Sequence, residues 1–354
     1  MDVRLALTGF GNVGQGVASL LADHGAQYRS DHGVNLILTG VADRGGAAVA
    51  CDGLDPASLL RSKHADGTIA GHPHGESDLA GTPFLERSGA DLLLETASTN
   101  YQDGEPGWSY ICAALQRDMH IVLASKGALV LHYAEIMAQA RARDLAVRFG
   151  GTVGAPLPVL EITERVLIGA RIISIAGILN GTTNQILTAM ARGASYDEGV
   201  RQAQEIGIAE TDPTLDVDGW DATAKAVIVA NAVLGGNVQL SDVRRTGIRD
   251  ITVRELEEAG QRGETIKLVA RVRADDHGVW AEVQPERQPV NSFFGRLDGA
   301  NMGVSFRTEP LGDLNVAIEE SGSGVSGGIS TAMTVLRDVV NLTRQPGLLW
   351  STRQ

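Results

Sequence analysis

The 354-residue sequence predicts an α/β protein with an N-terminal parallel-sheet domain and a second, α+β domain. Two observations carry this prediction. In the first part of the chain, short apolar strand patterns alternate with helical ones, which is typical of strand–helix–strand units. After residue 150, this alternation gives way to longer helices and antiparallel-looking strands. We therefore expect a first domain over residues 1–149, completed by a C-terminal helix within 321–354, and a second domain over 150–320.

The first element is an apolar strand pattern, VRLALTGF, which leads through a glycine-rich turn into an amphipathic helix. Gly9, Gly11 and Gly14 have the G-x-G-x-x-G spacing of a dinucleotide-binding turn. Gly9 allows a tight turn, Gly11 lets a pyrophosphate approach the backbone, and Gly14 allows close packing of helix on strand. The order strand, glycine turn, helix favours a Rossmann-type cofactor site over a chance glycine turn. The predicted cofactor-binding residues of this turn are Gly9, Phe10, Gly11, Asn12, Val13 and Gly14.

The second strand pattern, VNLILTGVADRGG, ends at Asp43 and Arg44. An acid at this position would accept hydrogen bonds from an adenosine ribose and favour NAD, whereas Arg44 could bind the 2′-phosphate of NADP. Asp43 lies farther along the chain than the ~20 residues of the usual motif. An inserted polar loop, HGAQYRSDHG, would explain the extra length. The sequence thus predicts NAD or NADP as cofactor, with an ordinary polar strand end as the alternative.

Two further buried strand patterns, ADLLLETAS and HIVLASK, flank the helical pattern GWSYICAALQRD. Ligands of parallel sheets bind at the carboxyl ends of the strands, where Glu95 and the residues after it lie. Lys126 follows the apolar run IVLA and should therefore lie at the mouth of the sheet. The predicted site residues at these strand ends are Ala97, Ser98, Ser125 and Lys126.

The segment GIAETDPTLDVDGWDATAK contains five carboxylates and a single lysine. Its second half begins a helix on which Asp221 and Lys225, at positions i and i+4, share a face. An isolated pair of this kind is a surface ion pair worth ~0.2–0.5 kcal/mol. Here Glu210 and Asp216 add further carboxylates in the preceding loop, and such a cluster is repulsive unless a cation binds. We therefore predict a site for an ammonium group beside a reactive lysine.

Charge and cysteine content exclude several classes of partner. The formal net charge of −13 and the pI near 5.1 argue against nucleic-acid and anionic-membrane partners, so a small-molecule substrate is expected. Cys51 and Cys112 lie far apart, in no pattern typical of a disulfide framework or a zinc site. The start of the chain lacks a leader pattern, and no segment approaches ~20 apolar residues. We expect a cytoplasmic protein.

The sequence resembles the homoserine dehydrogenase family over nearly its whole length, through GFGNVGQG, LETAST, IVLASKGAL, GTVGAPLPVL, GILNGTTNQILTAM and AETDPTLDVDGWDATAK. The resemblance implies a homodimer that interconverts L-homoserine and L-aspartate 4-semialdehyde with NAD(P), on the pathway to threonine, methionine and isoleucine. By motif position, Lys225 matches the catalytic lysine and Asp221 its partner. Glu210 and Asp216 match substrate-binding acids, and Lys126 is a possible partner for the substrate carboxylate.

This chain departs from the family pattern at two positions near the predicted site. Ser125 stands where an Asn is frequent, and Gly150 stands where family members often have a Glu that helps bind a monovalent cation. The backbone carbonyls implied in that cation site belong to Val153, Ala155 and Leu157. Since the carboxylate ligand is missing, we predict no firm metal site and an enzyme that needs no sodium or potassium.

The C-terminal stretch GSGVSGG replaces a more usual Gly-Pro-Gly-Ala-Gly, and Gly324 is predicted to contact the cofactor. After the final helix only PGLLWSTRQ remains, which is too short for a folded module. We therefore expect a short form without a C-terminal regulatory domain, and weak or no inhibition by threonine.

Two other functions compete with this interpretation. One is a related dehydrogenase for another small hydroxy- or carbonyl acid, which the changes at Ser125 and Gly150 would favour. The other is a catalytically silent dinucleotide sensor. The presence of Lys225 with Asp221 argues against the sensor, because a pure binding protein has no use for a proton-transfer pair.

Overall fold

The structure is a computed structural model that describes residues 1–319 and 327–344. Gly324, a predicted cofactor residue, lies outside the described residues. Within the described ranges, no helix is long and apolar enough to span a bilayer.

The strands run through both parts of the chain. In chain order they are β1 Asp2–Thr8, β2 Asn35–Asp43, β3 Gly46–Val49, β4 Gly75–Glu76, β5 Leu92–Glu95, β6 His120–Leu123, β7 Val147–Arg148, β8 Arg171–Ile178, β9 Arg244–Arg245, β10 Glu264–Asp275, β11 Gly278–Pro289, β12 Met302–Glu309 and β13 Gly312–Ile318.

The helices range from one turn to about six turns. In chain order they are α1 Asn12–His32, α2 Pro56–Asp66, α3 Gly81–Ser88, α4 Gly107–Gln116, α5 Gly127–Ala142, α6 Val159–Glu161, α7 Gly181–Ala191, α8 Tyr196–Glu205, α9 Thr214–Val217, α10 Trp220–Leu234, α11 Val253–Gly260 and α12 Gly327–Arg344. Short 3₁₀ turns lie at Ile69–Gly71, Gly150–Thr152 and Leu240–Asp242, and a π turn lies at Ile162–Val166.

The chain divides into two compact units. Within the described residues, the first unit contains Met1–Pro156 together with α12, and the second contains the chain from Leu157 to Glu319. Each unit has its own sheet. The fold class predicted from the sequence, a Rossmann-type sheet followed by an α+β unit, is confirmed.

The sheet of the first unit has the strand order β4-β3-β2-β1-β5-β6-β7. Strands β2, β1, β5, β6 and β7 are parallel neighbours, as the strand–helix alternation predicts. The edge strands β3 and β4 pair antiparallel, so the sheet is not wholly parallel. The parallel strands are nearly continuous runs of buried apolar residues, which is expected of a sheet covered on both faces.

Helix α12 belongs to the core of the first unit, where Val335, Leu336 and Val339 are fully buried. It packs against α1 at Gly16, where a Cβ would lie 3.0 Å from the Cβ of Ala332. The small residues on both helices therefore permit this close approach.

The polar segment HGAQYRSDHG is not an inserted loop, and this prediction was wrong. Helix α1 continues through it to His32, and Gly33 ends the helix in the left-handed conformation with φ 70°. The segment is polar because most of its side chains are exposed, and pairs such as Gln27 with Asp31 bond at the i, i+4 spacing. The wide separation of Gly14 and Asp43 thus results from a long helix.

The sheet of the second unit has the order β13-β12-β8-β10-β11-β9, and its long strands pair antiparallel. The antiparallel-looking strands predicted after residue 150 include RIISIAGIL, TIKLVARVRA and VWAEVQPERQPV, which correspond to β8, β10 and β11. Strand β8 leads directly into α7. The chain between α8 and α10 is mostly irregular, but it contains one helical turn, α9, that the acid-rich sequence pattern did not predict.

Candidate active site

The glycine turn of the first unit depends on residues without a side chain. Gly9 has φ 87°, and a Cβ there would lie 2.4 Å from the backbone of Ala97. A Cβ at Gly14 would lie 2.3 Å from the carbonyl oxygen of Gly9. Thr96 fixes the turn to the end of β5, because its hydroxyl donates to the Gly9 carbonyl at 2.6 Å. These two glycines are therefore required by the fold itself.

Gly11 differs from the other two glycines of the turn. A Cβ at Gly11 would meet no atom within 4 Å, and the residue is exposed. It is also the N-cap of α1, and no side-chain hydrogen bond caps the start of that helix among the described residues. Uncapped N–H groups beside open space fit a pyrophosphate, which needs close backbone approach and donors at a helix N-terminus. The residues of the turn thus fit a dinucleotide cofactor.

Asp43 lies at the end of β2 as predicted, but its carboxylate already has four donors. Oδ2 accepts from Lys63 Nζ at 2.6 Å and from Ile69 N at 3.0 Å, and Oδ1 accepts from Gly45 N at 2.9 Å and from Thr68 Oγ1 at 2.8 Å. Burial would raise the pKa of Asp43, but these hydrogen bonds together lower it below its usual value. Arg44 beside it is exposed. Asp43 therefore ties β2 to the 63–69 segment.

Glu95 and Ser125 meet where β5 and β6 end. Glu95 is fully buried; it accepts a short hydrogen bond from the Ser125 hydroxyl and another from Ala97 N at 2.9 Å. Burial raises the pKa of Glu95 to about 7, against these hydrogen bonds. The strand-end residues predicted from the sequence are therefore joined by a buried carboxyl group. Ser98 is exposed beside them.

Lys126 is the N-cap residue of α5 and is half-buried. Its backbone N–H donates to the Thr99 hydroxyl at 3.2 Å, which joins the loops after β5 and β6. This places Lys126 at the carboxyl end of the sheet in the first unit. Its contact with a substrate carboxylate stays a prediction.

Lys225 and Asp221 form the ion pair that their i, i+4 spacing predicts, with Lys225 Nζ 2.7 Å from Asp221 Oδ2. Both side chains are largely buried, with 12% and 15% of their surface exposed. Lys225 also donates to the carbonyl of Leu179, the residue after β8, at 2.5 Å. An ammonium has three N–H donors, so one is left for a substrate oxygen.

Asp216 and Asp221 are brought together by the side chain of Asn180. The amide nitrogen of Asn180 donates to Asp216 Oδ1 at 2.6 Å and to Asp221 Oδ2 at 3.0 Å. Three of the predicted site residues, Asp216, Asp221 and Lys225, thus lie in one cluster. The cluster forms where the end of β8 meets the start of α10.

The other acids of this segment have different environments. Asp218 pairs with Arg249, and Asp212 accepts a hydrogen bond from Thr214 N at the start of α9. These two acids shape the loop. Glu210 is exposed, and its backbone carbonyl accepts from Gln204. The structure therefore leaves Glu210 outside the cluster, and its role in substrate binding stays a prediction.

Two of the three predicted cation-site positions are buried, and the third, Ala155, is half-buried. Val153 and Leu157 are buried, and the N–H of Gly150 donates to the buried carboxylate of Asp338 at 2.9 Å. Over residues 1–319 and 327–344, no three His, Cys, Asp or Glu side chains are grouped so that they could hold a metal ion.

Sequence reasoning missed Asn180 and the carbonyl of Leu179. A signal was present, since an Asn followed by GTTN after an apolar strand is typical of a helix N-cap. That pattern predicts the cap but not the two carboxylates that the same side chain contacts, because Asp216 and Asp221 follow 36 and 41 residues later.

These two regions define a class of protein. A dinucleotide-binding turn on a parallel sheet, in a chain that also carries a lysine–aspartate pair suited to proton transfer, is typical of an NAD(P)-dependent oxidoreductase.

Comparisons with known proteins are consistent with this class and point to one family within it. Residues 9–150 match the family described as homoserine dehydrogenase, NAD binding domain, and residues 158–340 match the family described as homoserine dehydrogenase. The chain is 36% identical to an NAD(+)-dependent homoserine dehydrogenase of Pseudomonas canavaninivorans, with 96% of each chain covered. It is 34% identical to a homoserine dehydrogenase of Methanocaldococcus jannaschii, with 97% of this chain and 98% of the relative covered.

A solved structure agrees with the sequence relatives. The crystal structure of a homoserine dehydrogenase from Thermoplasma acidophilum matches with a TM-score of 0.81 and 26% identity, over 97% of this chain and all of the other. This chain belongs to the homoserine dehydrogenase family. It is an NAD(P)-dependent oxidoreductase.

Proposed function

We propose that this protein interconverts L-homoserine and L-aspartate 4-semialdehyde with NAD or NADP, and that Lys225 transfers the proton. The observation that carries the proposal is the cluster of Lys225 with Asp221 and Asp216 in a chain of this family. The first unit would bind the dinucleotide, and the second would bind the substrate and form the dimer.

Lys225 suits both directions of the reaction. Oxidation of the primary alcohol requires a base within hydrogen-bond reach of the hydroxyl, and a neutral Lys225 would accept that proton. In the direction of reduction, the ammonium would donate a proton to the nascent alkoxide. Asp221 and the Leu179 carbonyl hold two of its donors, so the third has a defined direction. When bound, the nicotinamide accepts or supplies the hydride.

The charges around the cluster suit an amino-acid substrate. Homoserine carries an α-ammonium group, for which Asp216 and Glu210 are the proposed partners. Its α-carboxylate needs a cation, and Lys126 is the proposed partner. A substrate ammonium beside Asp216 would reduce the repulsion between the Asp216 and Asp221 carboxylates and so stabilise the cluster.

The residues at the end of β2 support binding of either NAD or NADP. The Asp43 carboxylate already accepts hydrogen bonds from Lys63 and three other donors, so it is not reserved for a ribose. Arg44 is exposed and, among the described residues, has no hydrogen bond or ion pair. This arrangement supports acceptance of NADP as well as NAD, because a 2′-phosphate would meet a free guanidinium.

The test is a spectrophotometric assay of the purified protein with homoserine and each of NAD and NADP. Nucleotide reduction that depends on homoserine supports the proposal. Reduction with another small hydroxy acid but not with homoserine would favour the related-dehydrogenase alternative. Nucleotide binding without turnover on any of these substrates would favour the sensor.

We further propose that the protein acts as a homodimer in the cytoplasm, on the pathway to threonine, methionine and isoleucine. Growth of a homoserine-requiring strain that expresses this chain tests the pathway role. Light scattering of the purified protein tests the dimer. A mass equal to one chain would contradict it.

A further inference from the structure

We infer that Asn180 is a positioning residue of the reaction: its side chain holds Asp216 and Asp221 in fixed orientations beside Lys225. This inference rests on the proposed function. It concerns a residue that makes no contact with the reacting atoms in the proposal and acts only through its neighbours.

The orientation of the Asn180 amide is determined by the helix that it caps. Its Oδ1 accepts from the backbone N–H of Thr183 at 2.8 Å and from the Thr183 hydroxyl at 3.0 Å. Only the oxygen of an amide can accept a backbone N–H. The nitrogen must therefore face the other way, toward the two carboxylates. Asn180 is 6% exposed, so water does not compete freely for these bonds.

The two N–H groups of Asn180 match the two acids. One donates to Asp216 at 2.6 Å and the other to Asp221 at 3.0 Å. Carboxylates this close repel each other, and a shared donor fixes their separation. The Asp221 oxygen that accepts from Asn180, Oδ2, also accepts from Lys225 Nζ at 2.7 Å. A change at Asn180 is thereby transmitted to the lysine through one oxygen atom.

The backbone beside Asn180 contributes to the same cluster. The carbonyl of Leu179 accepts the second hydrogen bond from Lys225, at 2.5 Å. Two adjacent residues at the end of β8 therefore orient the lysine, one by its backbone and one through Asp221. Any shift of this short segment would move both of the acceptors of Lys225.

The start of α7 is held in place by several hydrogen bonds, so it can fix the position of Asn180. Asn184 donates to the carbonyls of Leu297 and Asn301 at 2.8 and 2.9 Å, and the buried ammonium of Lys267 donates to Asn184 Oδ1 at 3.1 Å. Thr182 donates to the Ile208 carbonyl at 2.9 Å, which ties α7 to the chain before Glu210. Asn180 thus connects a fixed helix to the acids of a less regular loop.

Asn180→Ser separates capping from positioning. Serine is as good an N-cap as asparagine, so the bond to Thr183 N survives, but one hydroxyl cannot donate to both carboxylates. We expect Asn180→Ser to lower kcat for homoserine by at least ~10-fold, because a small misplacement of reacting groups is costly. KM for homoserine should rise as well, since Asp216 is displaced. NAD(P) affinity and the thermal unfolding midpoint should stay near wild type.

Ser195→Ala is the matched control, because Ser195 caps α8 through Glu198 N at 3.2 Å and, within the described residues, has no hydrogen bond to a proposed site residue. It should lower the unfolding midpoint and leave kcat and KM unchanged. Wild-type kcat and KM in Asn180→Ser would overturn the inference, as would equal losses of activity in the two variants. If the wild-type protein itself does not oxidise homoserine, the proposed function fails instead.

Discussion

The glycine turn of the first unit and the carboxylate–lysine cluster of the second are built in opposite ways. The turn depends on missing side chains: Gly9 and Gly14 are required by close backbone contacts, and Gly11 leaves open space. The cluster depends on side chains that are present and charged, with Asp216, Asp221 and Lys225 joined by hydrogen bonds. Shape limits substitution in the first region, whereas charge limits it in the second.

The largest effect is expected in the cluster. Lys225→Ala removes the general acid and base, so turnover should fall by at least ~10². Nucleotide affinity should stay close to wild type, because the turn belongs to a different unit. Steady-state kinetics and nucleotide titration by fluorescence measure the two quantities. An equal loss of NAD(P) affinity would show that the two regions are not separable as proposed.

A second prediction concerns Glu95, a buried carboxyl group at the end of β5. Its pKa in the folded protein is raised from 4.5 to about 7, so the folded state keeps a proton that the unfolded state loses. Stability should therefore fall as pH rises from about 4.5 to about 7, by about 3 kcal/mol from this group. Below this window both states are protonated, and the cost is absent.

Glu95→Gln tests this assignment, because glutamine keeps an acceptor for Ala97 N and does not titrate. The free energy of unfolding in urea should depend less on pH in the variant than in wild type between pH 5 and 8. Parallel pH profiles of the two proteins would mean that the pKa of Glu95 is not raised in the folded protein.

The third prediction distinguishes the effect of a change in the turn on cofactor binding from its effect on stability. Gly11→Ala adds a methyl group that meets no protein atom within 4 Å, so the unfolding midpoint should hardly change. The same methyl group would obstruct the pyrophosphate, and the Kd for NAD(P) should rise at least ~10-fold, or ~1.4 kcal/mol. Gly25→Ala, in the same helix and also without neighbours within 4 Å, is the control. It should stabilise α1 by up to ~1 kcal/mol and leave cofactor affinity unchanged.

The smallest effect is expected at Glu210, which is exposed and lies outside the cluster. If it contacts the substrate ammonium, Glu210→Ala should raise KM for homoserine by ~1.4- to 5-fold with little change in kcat, because exposed ion pairs contribute only ~0.2–1 kcal/mol. An unchanged KM would limit the ammonium site to Asp216.

The sequence by itself was sufficient to predict those features that depend on residues close together in the chain. The glycine turn is complete within Gly9–Gly14, and Asp221 with Lys225 is a one-turn spacing on α10. Both are recognisable because strand, turn and helix geometry repeat at short, fixed intervals. The family resemblance rests on contiguous motifs of the same kind, and the comparisons confirm it.

The tertiary structure determined which side chains contact residues that are distant in the sequence. The Asp43 carboxylate accepts hydrogen bonds from Lys63, Thr68 and Ile69, none of which the sequence motif predicts. Helix α1 continues through a segment whose polarity had indicated a loop. Polar residues are compatible with both a loop and an exposed helix face, so composition could not distinguish the two. The tertiary structure also brought Asn180 to Asp216, 36 residues away. Such contacts depend on how strands and helices pack, and no local periodicity encodes that packing.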